Sequence, residues 1–171
     1  RQDLLPPEMI GELKVLQDHS APLPFSEIRE VIERECPHHK DCFLEIEETP
    51  LASASIAQVH RAKLSDGTPV VLKVQRPGIK EVIETDILIL ESLAARIEYY
   101  YPHYAVYNPQ GIVRDFAAQI RQELDFINDG RNADRLRKNM MDLKKIRVPM
   151  IFWEQSTRNL LVMEYIEGVR I

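Results

Sequence analysis

One lysine, Lys73, interrupts the apolar run Val70-Val71-Leu72-Lys73-Val74. Eighteen positions before it lies Ser55, inside Pro50-Leu51-Ala52-Ser53-Ala54-Ser55-Ile56-Ala57-Gln58-Val59-His60. Between the two runs falls Ser65-Asp66-Gly67-Thr68, a strong hairpin-turn signal. The order reads as a strand, a loop of small side chains, a hairpin, and a strand carrying a cation. A polyphosphate needs backbone N–H groups at close range and a positive charge beside them. The small side chains of residues 52–57 would let such a ligand approach their backbone, and Lys73 could reach its oxygens as a point charge. Alanine adopts positive φ less cheaply than glycine, so this loop is expected to be stiffer than a glycine-rich one. On a bare strand, an edge lysine facing water would be the simpler reading. A charge inside so apolar a strand otherwise needs a partner or a ligand, and the neighbouring loop favours the latter.

Carboxylates that could face this lysine lie further along. The segment after the lysine strand offers Glu81, Glu84, Glu91 and Glu98, most of which are expected to be solvated. Beyond it come Glu123-Leu124-Asp125 and Asp129. Asp125 and Asp129 are four apart and share a helix face, where they could hold a metal or a lysine. The plainer reading is a solvated acidic face balanced by Arg121 and Arg131. An EF-hand is excluded: Asp125, Asp129 and Gly130 fit its first, fifth and sixth positions, but Ile127 spoils the third and Leu136 the twelfth. Cys36 and Cys42 flank His38-His39, yet the spacing matches no common zinc pattern. A polar loop with reduced thiols, as in a cytosolic-type compartment, is the expectation there.

The elements that must position these groups can be read from periodicity. Pro6-Pro7 opens a helix continued by Met9, Leu13, Leu16 and Gln17, and Ala21-Pro22-Leu23-Pro24 breaks it. Ser26 is expected to cap a second helix, with Ile28, Val31 and Ile32 as its apolar stripe. A polar loop and a short helix lead to Pro50. The hairpin spans residues 56–74, with Val70, Leu72 and Val74 on one face of its second strand and Val71 and Lys73 on the other. Ile79, Ile83, Ile87, Leu90, Leu93, Ala94 and Ile97 predict a long helix that Tyr99-Tyr100-Tyr101-Pro102 stops. A further helix is predicted over 109–128, with Ile112, Val113, Phe116, Ile120, Leu124 and Ile127 inward, continuing past Gly130 to about Met140. Its basic end suits a helix C-terminus. Val148 to Trp153 reads as a strand, Ser156-Thr157-Arg158-Asn159 as a turn, and Leu160 to Tyr165 as a core strand. The result is an α+β unit with a small antiparallel sheet.

The bulk numbers narrow the function. With 171 residues and 44% hydrophobic content the chain can bury a core. A net charge of −5 and a pI near 5.6 argue against nucleic acid as a partner. No apolar run approaches the ~20 residues of a membrane span. The chain opens on Arg1 and ends on Ile171 after a strand-like segment, so both ends read as cuts. The order of lid, lysine strand and acidic helix is that of a protein kinase's smaller lobe. Met163-Glu164-Tyr165-Ile166-Glu167-Gly168 then resembles the strand exit at which a kinase presents carbonyl and amide groups to adenine.

Taken together, these residues resemble the UbiB/AarF family of atypical protein-kinase-like proteins. The stretches that carry the resemblance are Leu51 to His60, Val74-Gln75-Arg76-Pro77-Gly78-Ile79 and Glu123-Leu124-Asp125-Phe126, with Asp3-Leu4-Leu5-Pro6-Pro7-Glu8 and Leu16-Gln17-Asp18 in support. The resemblance implies a kinase-like N-terminal lobe with an αC-type helix, family-specific N-terminal helices over 1–48, and an inserted helix after the lysine strand. The lobe itself would span 49–171 and stop at the hinge, with the C-terminal lobe absent. It implies ATP, with Mg2+ in the full-length protein, held under an alanine-rich loop of Ala52, Ser53, Ala54, Ser55, Ile56, Ala57 and Gln58. Lys73 would meet the phosphates, and Glu123 and Asp125 would form the family's Glu-x-Asp motif. Met163 would be the gatekeeper, and Glu164 and Ile166 the adenine-contacting hinge. Asp129 falls where the family usually has the glutamate that pairs with the lysine. It is one methylene shorter, so either the pair is longer and weaker or the helix sits closer.

No His-x-Asp-type catalytic loop with its metal-binding Asn follows the hinge, and there is no Asp-Phe-Gly. The family's Lys-x-Gly-Gln motif is also absent. The chain alone is therefore expected to be catalytically inactive, with no catalytic residue of its own. Its parent is read as an ATPase or phosphotransferase linked to ubiquinone or isoprenoid-lipid metabolism. That protein would be cytoplasmic, bacterial and able to meet a prenyl lipid or membrane surface. The alternative is a non-catalytic scaffold that uses the kinase shape to hold a lipid or partner, which Asp129 in place of glutamate favours. An open face around Val71 and Met163 leads to an expectation of self-association.

Overall fold

The computed structural model describes residues 21–37, 39–143 and 146–168. In chain order the elements are α1 (Phe25–Glu35), a single turn α2 (His39–Cys42), and strands β1 (Phe43–Ile46), β2 (Ala52–Ser53), β3 (Ala57–Leu64) and β4 (Pro69–Gln75). The long helix α3 (Ile79–Tyr100) follows, then a 3-10 segment (Pro102–Tyr107), α4 (Pro109–Glu123) and α5 (Phe126–Asn139). A short 3-10 turn (Trp153–Gln155) and β5 (Leu160–Glu164) complete the described fold. The helix predicted around Met9, Leu13 and Leu16 lies outside the described residues.

The five strands form one antiparallel sheet in the order β1-β3-β4-β5, with β2 also paired to β3. The predicted hairpin is present. Gly67 turns it at φ +84°, a value glycine adopts without strain, and Asp66 Oδ1 accepts from the Thr68 amide at 2.8 Å. Period-two alternation then sorts the side chains. Val70, Leu72 and Val74 are fully buried on one face, together with Ala62, Leu64, Leu160 and Val162. Ile28, Val31 and Ile32 of α1 close this face, each burial contributing roughly 2 kcal/mol. Lys73 lies on the other face, where Ala57, Phe126, Ile151 and Leu161 form a second cluster under α5.

Several expectations need correction. The sheet begins at Phe43 and α1 packs into its main core, so the described residues before 49 contribute a strand and a helix to that core. Helix α1 is entered two residues earlier than expected, with Pro24 at the N-cap and Ser26 inside the first turn. The helix predicted to run from 109 past 130 is two helices. Asp125 takes an extended backbone conformation and its carboxylate accepts from the Ile127 amide at 3.1 Å, which starts α5 afresh. Ile112 and Phe116 are exposed, so the predicted inner face of α4 is only partly buried. Val148 to Trp153 forms no strand; a lone bridge joins Ile151 to Met163. Apolar exposure is concentrated on α3, the 3-10 segment and α4, at Leu88, Ile89, Leu93, Tyr99, Val106 and Phe116, while Val71 and Met163 are half-buried.

The polar groups of β3 on the core side are fully accounted for. Gln58 and His60 are completely buried. Gln58 Oε1 accepts from the Leu23 amide at 2.7 Å, and its NH2 group donates to Leu23 O and to His60 Nε2, each at 3.3 Å. His60 Nδ1 then donates to the Glu47 carbonyl at 2.9 Å. This network suits a neutral imidazole. Burial pushes the His60 pKa below its ordinary 6.5, against the opposing pull of the Glu47 carbonyl. Below that ordinary value the unfolded chain binds a proton that the folded chain resists. Stability from this site is therefore complete above about pH 6.5 and falls as the pH drops below it. Thermal melts from pH 7 to pH 5 should show a decline that a His60→Gln variant, though weaker overall, shares less steeply; parallel profiles would contradict this.

Candidate nucleotide-binding site

The small-residue loop is a tight hairpin between β2 and β3. Ala52 pairs with Val59 and Ser53 with Gln58, and the Ala54 amide donates to Ala57 O at 2.8 Å. Asn108 is the one non-glycine residue with positive φ among the described residues, so the loop turns without left-handed backbone. This is how alanine and serine stand where glycine would offer more freedom. Ala52, Ala54 and Ser55 are exposed, and Ser53 and Ile56 are half-buried. Gln58 is a correction to the expected lid. It shares the face of its register partner Val74, opposite Lys73, and its side-chain amide is committed to Leu23 and His60.

Arg76 holds this loop, a role that no local sequence signal disclosed. Its Nε donates to Ala54 O at 2.8 Å, and its Nη2 donates to Ser53 Oγ at 2.8 Å and to Ala21 O at 2.7 Å. Its own amide donates to Ile56 O at 2.9 Å. The guanidinium fork satisfies several oxygens at once because its donors are fixed in a plane. The loop is thereby tied to the end of the lysine strand.

Lys73 pairs with Asp129. Lys73 Nζ lies 2.6 Å from Asp129 Oδ2 and 4.4 Å from the centre of the Phe126 ring. The side chains keep 25% and 31% of their exposure, so the pair is shielded on one side and open on the other. The shorter carboxylate thus reaches the ammonium group directly. Helix α5 is seated by bonds at its first turn: Phe126 N donates to Arg158 O at 3.0 Å, and buried Gln75 donates to Leu124 O at 2.8 Å. Gly130, also buried, faces Trp153 and Leu161.

The other acids are placed differently. Glu123 is exposed at the end of α4. Asp125 caps α5 and lies 3.5 Å from Arg158 Nε. Arg121 does not balance Asp125 or Asp129. It forms two bonds to Glu84 of α3, at 2.9 and 2.7 Å, which lower the Glu84 pKa. Among the described residues no three metal-ligating side chains converge. The Cys36 thiol donates to Cys42 Sγ at 3.2 Å, and the two form no disulfide.

At the far end of the sheet, Met163 is half-buried opposite Val71. The Glu164 amide donates to Met150 O at 2.8 Å. Its carboxylate is hydrogen-bonded by Arg147, which holds it below the usual carboxylate range despite partial burial. The Glu164 side chain is thus turned to structure, and a ligand could meet only its backbone. Ile166 is half-buried just beyond the strand. The site brings together the loop, Lys73, Asp129 and the β5 exit on one sheet, while Glu123 and Asp125 sit at the α4–α5 junction.

This arrangement is that of a kinase-type smaller lobe, and comparison with known proteins agrees. The profile of the ABC1 atypical kinase-like domain matches residues 15–171, and the chain belongs to that family. It is 39% identical over its whole length to a probable protein kinase UbiB of Marinobacter nauticus. It is 37% identical, over 98% of its length, to AarF domain-containing protein kinase 1 of Xenopus laevis. The chain spans 31% and 32% of the lengths of these relatives. Among solved structures, Rv3197 of Mycobacterium tuberculosis, in complex with erythromycin, superposes with a TM-score of 0.77 at 29% identity, over 98% of this chain and 42% of that one.

The clamp makes a measurable demand. Arg76→Ala removes two side-chain bonds to the loop and one to Ala21 O, and should cost about 1–3 kcal/mol of local stability. Hydrogen exchange at the Ala54 amide should accelerate correspondingly, while amides within α3 stay protected. Unchanged exchange at Ala54 would show that the loop holds itself.

Proposed function

We propose that this lobe binds ATP and is the nucleotide-holding part of a UbiB-type phosphotransferase or ATPase acting in ubiquinone or isoprenoid-lipid metabolism. The observation that carries the reading is the Lys73–Asp129 pair at 2.6 Å beside a small-residue loop with exposed backbone. Asp129 holds the ammonium group in place, and the open side of the pair leaves it free to meet phosphate oxygens. The backbone of residues 52–56 covers the phosphates. Met163 backs the base, and the Glu164 carbonyl with the Ile166 backbone meets its edge.

The residues present suit the nucleotide better than its metal ion. Glu123 and Asp125 are the acids that the resemblance offers for Mg2+, but they do not form a three-ligand set among the described residues. Group transfer further requires a base, and none of the residues proposed for this site is assigned that role. The scaffold alternative drew its support from the shorter acid at position 129, and the close pair removes that ground. No helix among the described residues is long and apolar enough to cross a membrane. The exposed apolar side chains on α3, the 3-10 segment and α4 support self-association of the isolated chain. Light scattering should detect species above monomer mass; a monodisperse monomer at high concentration would contradict this.

In the full-length protein, Lys73→Ala should weaken ATP binding about 10-fold or more, the loss of one hydrogen bond to a charged group. Titration calorimetry at fixed salt measures it. Unchanged affinity would remove Lys73 from the site.

A further inference from the structure

Asp129 is the shortest acid that could pair with Lys73, and the residue after it has no side chain. A Cβ built on Gly130 would lie 2.6 Å from Trp153 Cη2, and 3.2 Å from both Leu161 Cδ1 and Trp153 Cζ2. The first distance is shorter than real Cβ contacts, so something would have to move. The indole is 39% exposed, yet it is anchored at its far edge. Its Nε1 donates to Asp134 Oδ2 at 2.9 Å, so the ring is tied to α5 one turn beyond Gly130. Leu161 is the register partner of Lys73 on β5 and is itself buried. The surface that Gly130 touches is therefore the wall beside the lysine.

We propose that Gly130 is a positioning residue: its missing side chain lets α5 settle far enough onto Trp153 and Leu161 for an aspartate to reach Lys73. Acid length and helix depth are then matched. An alanine at 130 lifts the helix, and Asp129 cannot follow because its carboxylate has no spare methylene. A glutamate can. The relevance of this match to ligand binding rests on the ATP reading, but the match itself does not.

The test separates the two. In the full-length protein, Lys73 acylation by an activated ester is followed by peptide mass spectrometry, with Lys80 as reference. ATP affinity is measured in parallel. Gly130→Ala should speed Lys73 acylation about three- to tenfold, as expected when a partly exposed ion pair opens, and should weaken ATP binding. Adding Asp129→Glu should bring both back toward wild type. Adding Trp153→Phe to Gly130→Ala, which makes room for the new methyl, should do the same without touching the acid. Two results would overturn the proposal. One is wild-type Lys73 reactivity in Gly130→Ala, which would mean that the indole simply swings aside. The other is a Gly130→Ala defect that neither second substitution repairs, which would mean general destabilisation. If the reactivities follow the expected pattern while the wild-type protein has no ATP affinity, the positioning role stands and the nucleotide reading falls.

Discussion

A single ammonium group in the middle of an apolar sheet sets the terms for everything around it. Lys73 cannot be left alone between Leu72 and Val74 without a large desolvation cost, and it cannot be fully enclosed without losing its use. The fold answers with one carboxylate, one aromatic face and one open side. Asp129 and Phe126 come from the same helix, so placing α5 against the sheet solves both contacts at once. The bonds from Gln75 to Leu124 and from Phe126 to the Arg158 carbonyl fix where that helix starts. The core face of the sheet is conventional by comparison, with α1 laid over three strands of aliphatic side chains.

Parts of this were legible in the residues. The hairpin declared itself through alternation on its second strand and an Asp-Gly turn. Helix α3 declared itself through a stripe at three- and four-residue spacing and the aromatic stop. The break between α4 and α5 was hidden because the apolar period runs through it. The signal that could have found it is Asp125, an N-cap residue type placed directly before a new apolar stripe. The predicted strand at 148–153 failed for a different reason. Its composition suits a strand, but its pairing with β5 is confined to a single bridge at Ile151, flanked by the bonds of Met150 O and Phe152 N, too short a ladder to make a strand.

The candidate site was legible in outline and not in detail. Lys73 stood out by its apolar surroundings; helix-face spacing offered Asp125 and Asp129 alike as acids for a lysine or a metal, and the resemblance alone singled out Asp129, which lies 56 positions away. Gln58 was expected at the lid through the resemblance; register sends its side chain to the opposite face. Arg76 gave no local sign, because its bonds run to residues 22, 23 and 55 positions away. Periodicity describes neighbours on one element, while these contacts join elements that only the folded sheet brings together.

The backbone just before α1 is gripped twice. Gln58 takes both polar groups of Leu23, and Arg76 takes the carbonyl of Ala21 with the same nitrogen that reaches Ser53. One grip lies on the strand leaving the loop and the other at the end of the lysine strand. The chain entering α1 and the loop therefore behave as one mechanical body. A pull on the entering segment is shared by the loop through a common guanidinium, and a loop that closes must carry that segment with it.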